Sequence, residues 1–402
     1  MVLSLCLCVS VVCDVPQAFA QVDGHVSVLV DALPDISDAD GRQQVVELRT
    51  RVFVERRQDV GERLRLNLAG YVDGLVADRE VSGGSATTTA AIVRPSDLFA
   101  ETGADRFDLR VGFSRIVWGR LDEFQPTDIV NPIDVTRFVL EGRSEARLPS
   151  ALVRARLFLP GSSMLEAIVV PVFRASTFDQ LDEETSPFNL APAAQRERVE
   201  PATTWSNLQG GGRFTSTIAR VDWALTAYRG FRTFPILTRV GAVLQETFPR
   251  FTMIGADFET TRGPWGLRGE AAAFVDDEVQ DPLRLRGERG RAFEGGVGVD
   301  RRAGDYRVAA NVLLSHRPLD GTDASIVGAA ERTFVRETRR VTAFAVYDPI
   351  DDTGFARVIA AVSVRDNVWL EGSAGFFAGS SFDTFGRLTR RDFLYARLKV
   401  FY

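Results

Sequence analysis

Apolar and polar residues alternate along most of this chain, and this period of two constrains its fold more than any other feature. In residues 107–114 every second residue is large and apolar: Phe107, Leu109, Val111 and Phe113. The same alternation recurs in residues 63–76, 264–275 and 354–364. Alternation of this kind is typical of β-strands with one apolar and one polar face. The sequence therefore predicts an all-β protein in which helix is a minor component.

The connections between these strands alternate in length as well. Eight short turns fall at residues 57–61, 102–105, 160–162, 219–221, 261–263, 301–304, 337–339 and 365–367. Longer loops fall between them, at residues 77–90, 119–148, 175–211, 232–248, 277–289, 317–326 and 379–390. Short turns on one side and long loops on the other are typical of barrels in a bacterial outer membrane. We expect a closed antiparallel transmembrane β-barrel of about 18 strands, within a range of 14–18, with short periplasmic turns and long outer loops.

The N-terminus predicts export from the cytoplasm. The apolar run of residues 2–13 is too short to span a bilayer as a helix, which takes about 20 residues. It precedes Ala18-Phe19-Ala20, a motif that fits signal-peptide cleavage before Gln21. We therefore expect residues 1–20 to be a signal peptide and residues 21–402 to be a single barrel domain. Cleavage there removes all three cysteines, which leaves no thiol for a disulfide or a metal site.

The C-terminal residues "FLYARLKVFY" have the pattern of a last barrel strand. Their apolar positions include Leu394, Leu398, Val400 and the terminal Tyr402. An aromatic terminus on an alternating strand resembles the signal by which the barrel-assembly machinery recognises outer-membrane proteins. The expected partners are therefore this machinery, together with outer-membrane lipid and lipopolysaccharide around the barrel.

If the apolar faces contact lipid, the alternate positions face the lumen. The charged residues at these positions are Arg49, Arg51, Arg63, Arg65, Arg110, Arg154, Arg156, Arg268, Glu270, Arg307, Arg357 and Arg397. Arginine that faced lipid at the bilayer midplane would cost about 2–4 kcal/mol. The arginines could form a track that binds anionic solutes, or they could pair with lumen acids such as Asp73 and Asp108 into a neutral mesh. The sequence leaves both interpretations open.

Composition and motifs argue against several other functions. The formal net charge is −6, unlike the basic footprint of a nucleic-acid-binding protein. His25 and His316 lie far apart, and no zinc-protease, dinucleotide or P-loop motif occurs in the sequence. The acidic runs at residues 178–186 and 276–281 match no calcium loop, so we expect solvated acidic surface there. The sequence predicts no enzyme, no cofactor and no metal site.

One segment does not alternate, namely "WGRLDEFQPTDIVNPID", residues 118–134. Asn131-Pro132 favours an extended residue followed by a turn, and aspartates favour Asx turns. The apolar residues that follow, 135–142, need cover that a loop in water would lack. We hypothesise that the segment folds against the inner wall and narrows the pore, with its acids facing arginines; a loop on the outer rim is the alternative. The residues concerned are Trp118, Asp122, Glu123, Asp128, Asn131, Pro132 and Asp134.

The same segment carries a family resemblance. Its W-G pair followed by a D-x-x-N-P-x-D run, Asp128 to Asp134, resembles a segment of little-characterised porin-like outer-membrane barrels. Residues 210–230, 255–274 and 345–379 also resemble hairpins of that group, and the chain is more distantly similar to alginate-export-type barrels. The resemblance implies a non-catalytic barrel in the outer membrane. Together these features predict a porin-like channel for small solutes with an arginine-rich lumen. A specific exporter or importer of an anionic polymer or lipid, or a plugged structural or adhesion barrel, is the alternative.

Overall fold

The strands close into a barrel. A computed structural model describes residues 22–38, 41–81, 84–189, 196–241, 243–281, 286–319, 321–379 and 384–402. Within them, 18 strands form one antiparallel sheet. The first strand, β1 (Val22–Asp38), pairs both with β2 (Gly41–Val60) and with the last strand, β21 (Phe393–Phe401). The predicted closed barrel of about 18 strands is confirmed. The predicted signal peptide lies outside the described residues.

The other strands follow in chain order: β3 (Leu64–Val81), β4 (Gly84–Ala104), β5 (Phe107–Ser114), β6 (Ser150–Leu159), β7 (Ser163–Val170), β8 (Arg196–Val199), β9 (Gln209–Ile218), β10 (Val221–Phe231), β11 (Ile236–Val240), β12 (Val243–Thr247), β13 (Arg250–Arg262), β14 (Trp265–Asp281), β15 (Arg286–Ala303), β16 (Tyr306–Arg317), β17 (Gly321–Phe334), β18 (Arg339–Asp348), β19 (Thr353–Arg365) and β20 (Val368–Ala378). Strands β8, β11 and β12 form a separate small sheet. The helices are α1 (Val135–Glu141), α2 (Arg143–Ala146) and α3 (Thr384–Arg387), with a 3₁₀ turn at Trp205–Asn207. In the described part of the chain, no helix is long and apolar enough to cross a membrane.

The alternation in sequence becomes two different faces of the barrel wall. On β19, Val358 is 46 % exposed whereas the adjacent Arg357 is 6 % exposed. On β3, Val72 is exposed and Asp73 is buried. Because the sheet is closed, its exposed apolar face is the outer one and its buried polar face lines the interior. The wall therefore presents to its surroundings the surface that lipid can cover.

The connections differ in length at the two ends of the barrel. At one end the strands are joined by turns of two to four residues, at 61–63, 105–106, 160–162, 219–220, 263–264, 304–305, 335–338 and 366–367. The other end, the long-connection end, carries residues 115–149, 171–208, 232–249 and 379–392. Three predicted long loops, at 77–90, 277–289 and 317–326, are wrong, because strands continue through most of each range.

Two clusters of buried apolar side chains lie inside the barrel. One joins Leu29 and Leu33 of β1 to Val139 and Leu140 of α1. The other joins residues of the 115–149 connection to the inward faces of β10, β13 and β14. The core of the molecule is thus formed between the wall and its long connections, so these connections fold inward.

Candidate pore constriction

Residues 115–149, the first internal segment, leave β5 and return to β6 at almost the same place. Asn131 fixes this closure: its side-chain oxygen accepts the N–H of Ile116 at 2.7 Å, and its amide nitrogen donates to the carbonyl of Leu148 at 2.9 Å. The carbonyl of Pro132 accepts the N–H of Leu148 at 2.8 Å. The Asn131-Pro132 pair therefore ties together the two ends of the segment.

The W-G pair places the start of the segment against the wall. Trp118 is 1 % exposed and donates its indole N–H to Glu166 of β7 at 2.7 Å. Gly119 has a φ of +97°, and a Cβ there would lie 2.7 Å from a carboxylate oxygen of Glu270 on β14. Both the backbone conformation and this close approach require glycine.

Glu270, a predicted lumen residue, holds the middle of the segment. Its carboxylate accepts the backbone N–H groups of Arg120 at 2.8 Å, Leu121 at 3.2 Å and Thr127 at 2.6 Å. The hydroxyl of Thr127 donates to it as well, at 2.8 Å. Four donors from one segment converge on one buried carboxylate, which satisfies backbone groups that would otherwise be unpaired in the interior.

The four acids of the segment have different partners. Asp122 faces the wall, where Arg268 donates to it at 2.9 Å and Arg307 lies 3.7 Å away. The other three bond to the internal connections themselves: Glu123 accepts the backbone N–H of Arg143, Asp128 pairs with Arg143 and Arg147, and Asp134 caps α1 and accepts the N–H of Gln180. The prediction was that these acids face arginines across a constriction. Asp122 contacts arginines of the wall, Asp128 contacts arginines of its own segment, and Glu123 and Asp134 accept backbone N–H groups instead.

Helix α1 is bonded to several wall strands. Arg357 of β19 donates to the carbonyl of Val139 at 2.7 Å, near the C-terminal end of the helix. A guanidinium at this position complements the negative end of the helix dipole. Arg397 of β21 pairs with Glu141, and Arg137 pairs with Asp73 of β3 at 3.1 Å. The segment is thus bonded to β3, β7, β14, β19 and β21, which lie on different sides of the barrel.

Most of the other predicted lumen arginines pair with carboxylates. The pairs are Arg49 with Glu47 and Asp179, Arg51 with Asp73, Arg110 and Arg154 with Glu101, and Arg156 with Asp108. Two of the predicted lumen arginines lie at or near a turn. Arg63 lies in the 61–63 turn and is exposed, so its placement on the lumen wall is wrong. Arg65 is 58 % exposed beside Asp59 near that turn. These pairs support the interpretation that the lumen arginines form a neutral mesh with acids, rather than a track that binds anionic solutes.

Residues 171–189, the second internal segment, were missed by the sequence interpretation. The N–H of Val135 donates to the carbonyl of Thr177, and the N–H of Thr177 donates to that of Ile133, so the two segments run side by side. Asp179 is 2 % exposed and reaches Arg49 of β2 at 2.5 Å. The expected solvated acidic surface is wrong for Asp179, and likewise for Asp277, which is buried beside Arg232. The signal that could have revealed this is the apolar residues, such as Phe178 and Phe188, that flank the acids.

In the described part of the chain, two cavities of about 200 Å³ or more border the first internal segment. A cavity of about 410 Å³ lies toward the long-connection end and is lined by Phe124, Asp128, Phe231, Arg232 and Arg317, among others. A smaller one, of about 200 Å³, is lined by residues that include His25, Arg51, Tyr71, Arg137 and Arg147. The first internal segment contributes lining residues to both cavities.

Solved structures share this barrel. OccK7 (OpdD) of Pseudomonas aeruginosa has a TM-score of 0.58 at 10 % identity, with 96 % of this chain and 99 % of that chain covered. OccK2 (OpdF) of Pseudomonas aeruginosa in complex with glucuronate has a TM-score of 0.54 at 10 % identity, with 95 % and 97 % covered. OccAB4 of Acinetobacter baumannii has a TM-score of 0.51 at 9 % identity, with 96 % and 98 % covered. No protein-family model and no curated protein matches the sequence. At these identities the likeness shows the fold, a porin-type barrel; the narrower resemblance of the W-G…D-x-x-N-P-x-D run and the similarity to alginate-export-type barrels stay predictions.

Proposed function

We propose that this protein is a channel of the bacterial outer membrane that passes small solutes, with its narrowest part at the first internal segment. The observation that carries the proposal is a closed wall, apolar outside and polar inside, with one segment bonded to strands on different sides of its interior. A closed sheet is the β-structure that can span a bilayer, because all its backbone groups are paired internally. A barrel of this strand number leaves an aqueous interior unless connections fill it.

The outer surface supports placement in a membrane and assembly there. Leu394, Leu398 and Val400 of β21 are 55 %, 42 % and 36 % exposed and lie on the outward face. The backbone of Tyr402 exchanges hydrogen bonds with Gly24 of β1, and its hydroxyl donates to the carbonyl of Phe53 on β2. These residues form the seam between the last and first strands. Lipid, lipopolysaccharide and the barrel-assembly machinery are therefore the proposed partners.

The charge pattern of the interior favours a general channel over a carrier of anionic polymers. A track for a polyanion needs guanidinium groups that are free to bind it. Arg51, Arg110 and Arg156 instead pair with carboxylates at 2.5–2.7 Å. One protein of similar fold, OccK2, has been solved with glucuronate, a small anion. Small solutes, including small organic acids, are therefore the proposed cargo.

A planar-bilayer recording in a salt gradient tests the proposal. We expect stepwise single-channel currents with weak ion selectivity, since the paired arginines leave little net charge along the path. Strong anion selectivity with block by a polyanion would favour the exporter of an anionic polymer. If purified, folded barrel inserts into the bilayer and gives no current, the plugged structural barrel is the better account.

A further inference from the structure

The second internal segment contacts a group of charged residues on the barrel wall, called here the wall site. Its carboxylates give this site an excess of negative charge. The wall site consists of Asp31 on β1, Glu47 and Arg49 on β2, and Arg79 on β3. It contains two carboxylates and two guanidinium groups, so its net charge is zero when all four are ionised. Asp31 and Glu47 lie directly opposite each other in the β1–β2 register. Like charges at directly opposed positions are destabilising. This site therefore carries no spare positive charge to receive another acid.

The docked segment nevertheless brings two more carboxylates. Asp179 reaches Arg49 at 2.5 Å, and Asp182 reaches Arg79 at 2.9 Å. Arg49 also bonds Glu47 at 2.5 Å, so one guanidinium serves two carboxylates at hydrogen-bond distance. With the segment docked, four carboxylates share two guanidinium groups, which leaves two negative charges in excess if all are ionised. Buried ionised groups without compensation are expensive.

Asp31 is the group that this excess leaves without a hydrogen bond. It is 1 % exposed, and neither of its carboxylate oxygens accepts a hydrogen bond from any residue that the structure describes. The nearest guanidinium, that of Arg49, is 3.7 Å away and is bonded to Glu47 and Asp179. A buried carboxylate in this position is more stable with a proton than without one.

We propose that the second internal segment is a proton-dependent gate, which docks on the wall when Asp31 carries a proton and is released when Asp31 ionises. Release frees residues 176–183 from β2 and β3 and widens the path beside the first internal segment. The expected effect on current rests on the proposed channel function. The docking and release of the segment do not depend on it.

The other charged groups around the cluster do not cancel the excess. Arg137 is engaged by Asp73, Glu183 lies 3.5 Å from Arg198, and Tyr395, opposite Asp31 on β21, donates to Glu371, which also binds Arg397. Asp134 of the first internal segment adds a further carboxylate, bonded to the N–H of Gln180. Burial raises the pKa of Asp134 to about 6, and the neighbouring Asp179 acts in the same direction.

The sign of the pH dependence follows from proton uptake. A group whose pKa is raised by docking binds a proton more tightly in the docked form, so docking strengthens as the pH falls and weakens as it rises. For each proton taken up, the docking equilibrium changes by roughly tenfold per pH unit between the two pKa values. The gate therefore closes as the pH falls and opens as it rises.

The test attaches a fluorophore to Glu184→Cys, an exposed position on the second internal segment, in protein that carries no other cysteine. Its quenching by neutral acrylamide is recorded from pH 4.5 to 8, in parallel with bilayer conductance. We expect quenching and conductance to rise together with pH. In Asp31→Asn, which keeps the shape but cannot ionise, both should stay at their acid values. Asp59→Asn, an exposed carboxylate near the opposite end, is the matched control and should titrate like the parent protein.

The outcomes separate the two proposals. Quenching that is flat across the pH range, or that titrates identically in Asp31→Asn and the parent, overturns the gate. Quenching that titrates as expected in a barrel without current at any pH supports proton-dependent docking and contradicts the channel function.

Discussion

The first and second internal segments both enter the barrel from the long-connection end, yet the wall groups that hold them differ. Glu270 binds the first segment through three backbone N–H groups and a hydroxyl, none of which titrates in the physiological range. Arg49 and Arg79 bind the second through Asp179 and Asp182, beside Asp31 and Glu47. The comparison teaches that a carboxylate of the wall can hold an internal segment through neutral donors, whereas docking through further carboxylates makes the proposed attachment of the second segment depend on protonation.

Replacing Glu270 by Ala should have the largest effect on the first internal segment. It leaves three backbone N–H groups and the Thr127 hydroxyl without their acceptor. We expect a loss of roughly 3 kcal/mol in unfolding free energy, since each buried unsatisfied group costs about 1–3 kcal/mol and water can reach some of them after the change. Urea unfolding of the reconstituted barrel, together with proteolysis of residues 115–149, measures this.

The matched control for Glu270→Ala lies on the same strand. Glu278 of β14 pairs with Arg289, whose side chain is 70 % exposed. Exposed pairs contribute about 0–1 kcal/mol, so Glu278→Ala should change stability little and leave the first segment protected. Equal losses in the two variants would show that Glu270 does not hold the segment.

Gly119→Ala should have an intermediate effect. The φ of +97° disfavours alanine, and the new Cβ would lie 2.7 Å from Glu270. We expect a loss of about 2 kcal/mol, from backbone strain of order 1–3 kcal/mol together with displacement of that carboxylate. Gly61→Ala separates the two causes, because Gly61 also has a positive φ, +68°, but open space around it. If both variants lose the same stability, the contact with Glu270 contributes nothing.

Trp118→Phe should have the smallest effect of the three. It keeps an aromatic ring near Tyr228, whose ring lies 6.1 Å away, but it removes the N–H that donates to Glu166 and makes a fully buried side chain smaller. A hydrogen bond to a charged group contributes about 1.5–3 kcal/mol, of which a carboxylate at the wall can recover part from water, and the smaller ring leaves a cavity, so we expect a loss of about 1.5 kcal/mol. Conductance should stay at the parent value. A large rise in conductance would mean that this one bond, and not the set around Glu270, positions the segment.

The wall could be predicted from the sequence because one physical cause acts at every position. Outward residues such as Val72 face lipid, and inward residues such as Asp73 face water or polar groups, so apolar and polar residues alternate. Where β3 and β4 pass beyond this environment, residues 84–91 are largely small or polar on both faces, and the alternation ends although pairing continues. The predicted loop at 77–90 failed for this reason. Arg63 was misplaced because the period of two was extended into a turn.

The interior could be predicted only in outline. The need of residues 135–142 for apolar cover correctly indicated that the first segment must pack against something. Its partners lie far away in the chain: Glu270 is 150 residues from Arg120, and Arg357 is 218 from Val139. No local pattern encodes such pairs, and an acidic run such as residues 178–186 looks the same whether water or arginine surrounds it. The charged pairs across the lumen could therefore be identified only from the structure.

Bilayer conductance with and without most of the first internal segment most directly tests the central claim, that this segment is the narrowest part of the pore. Residues 120–142 are replaced by a short Gly-Ser linker, and correct folding is checked by the strand content of the purified barrel. If the first internal segment is the narrowest part of the pore, its removal should raise single-channel conductance by at least about twofold, because a barrel of this size otherwise encloses an aqueous channel. Conductance equal to that of the parent protein would contradict the account.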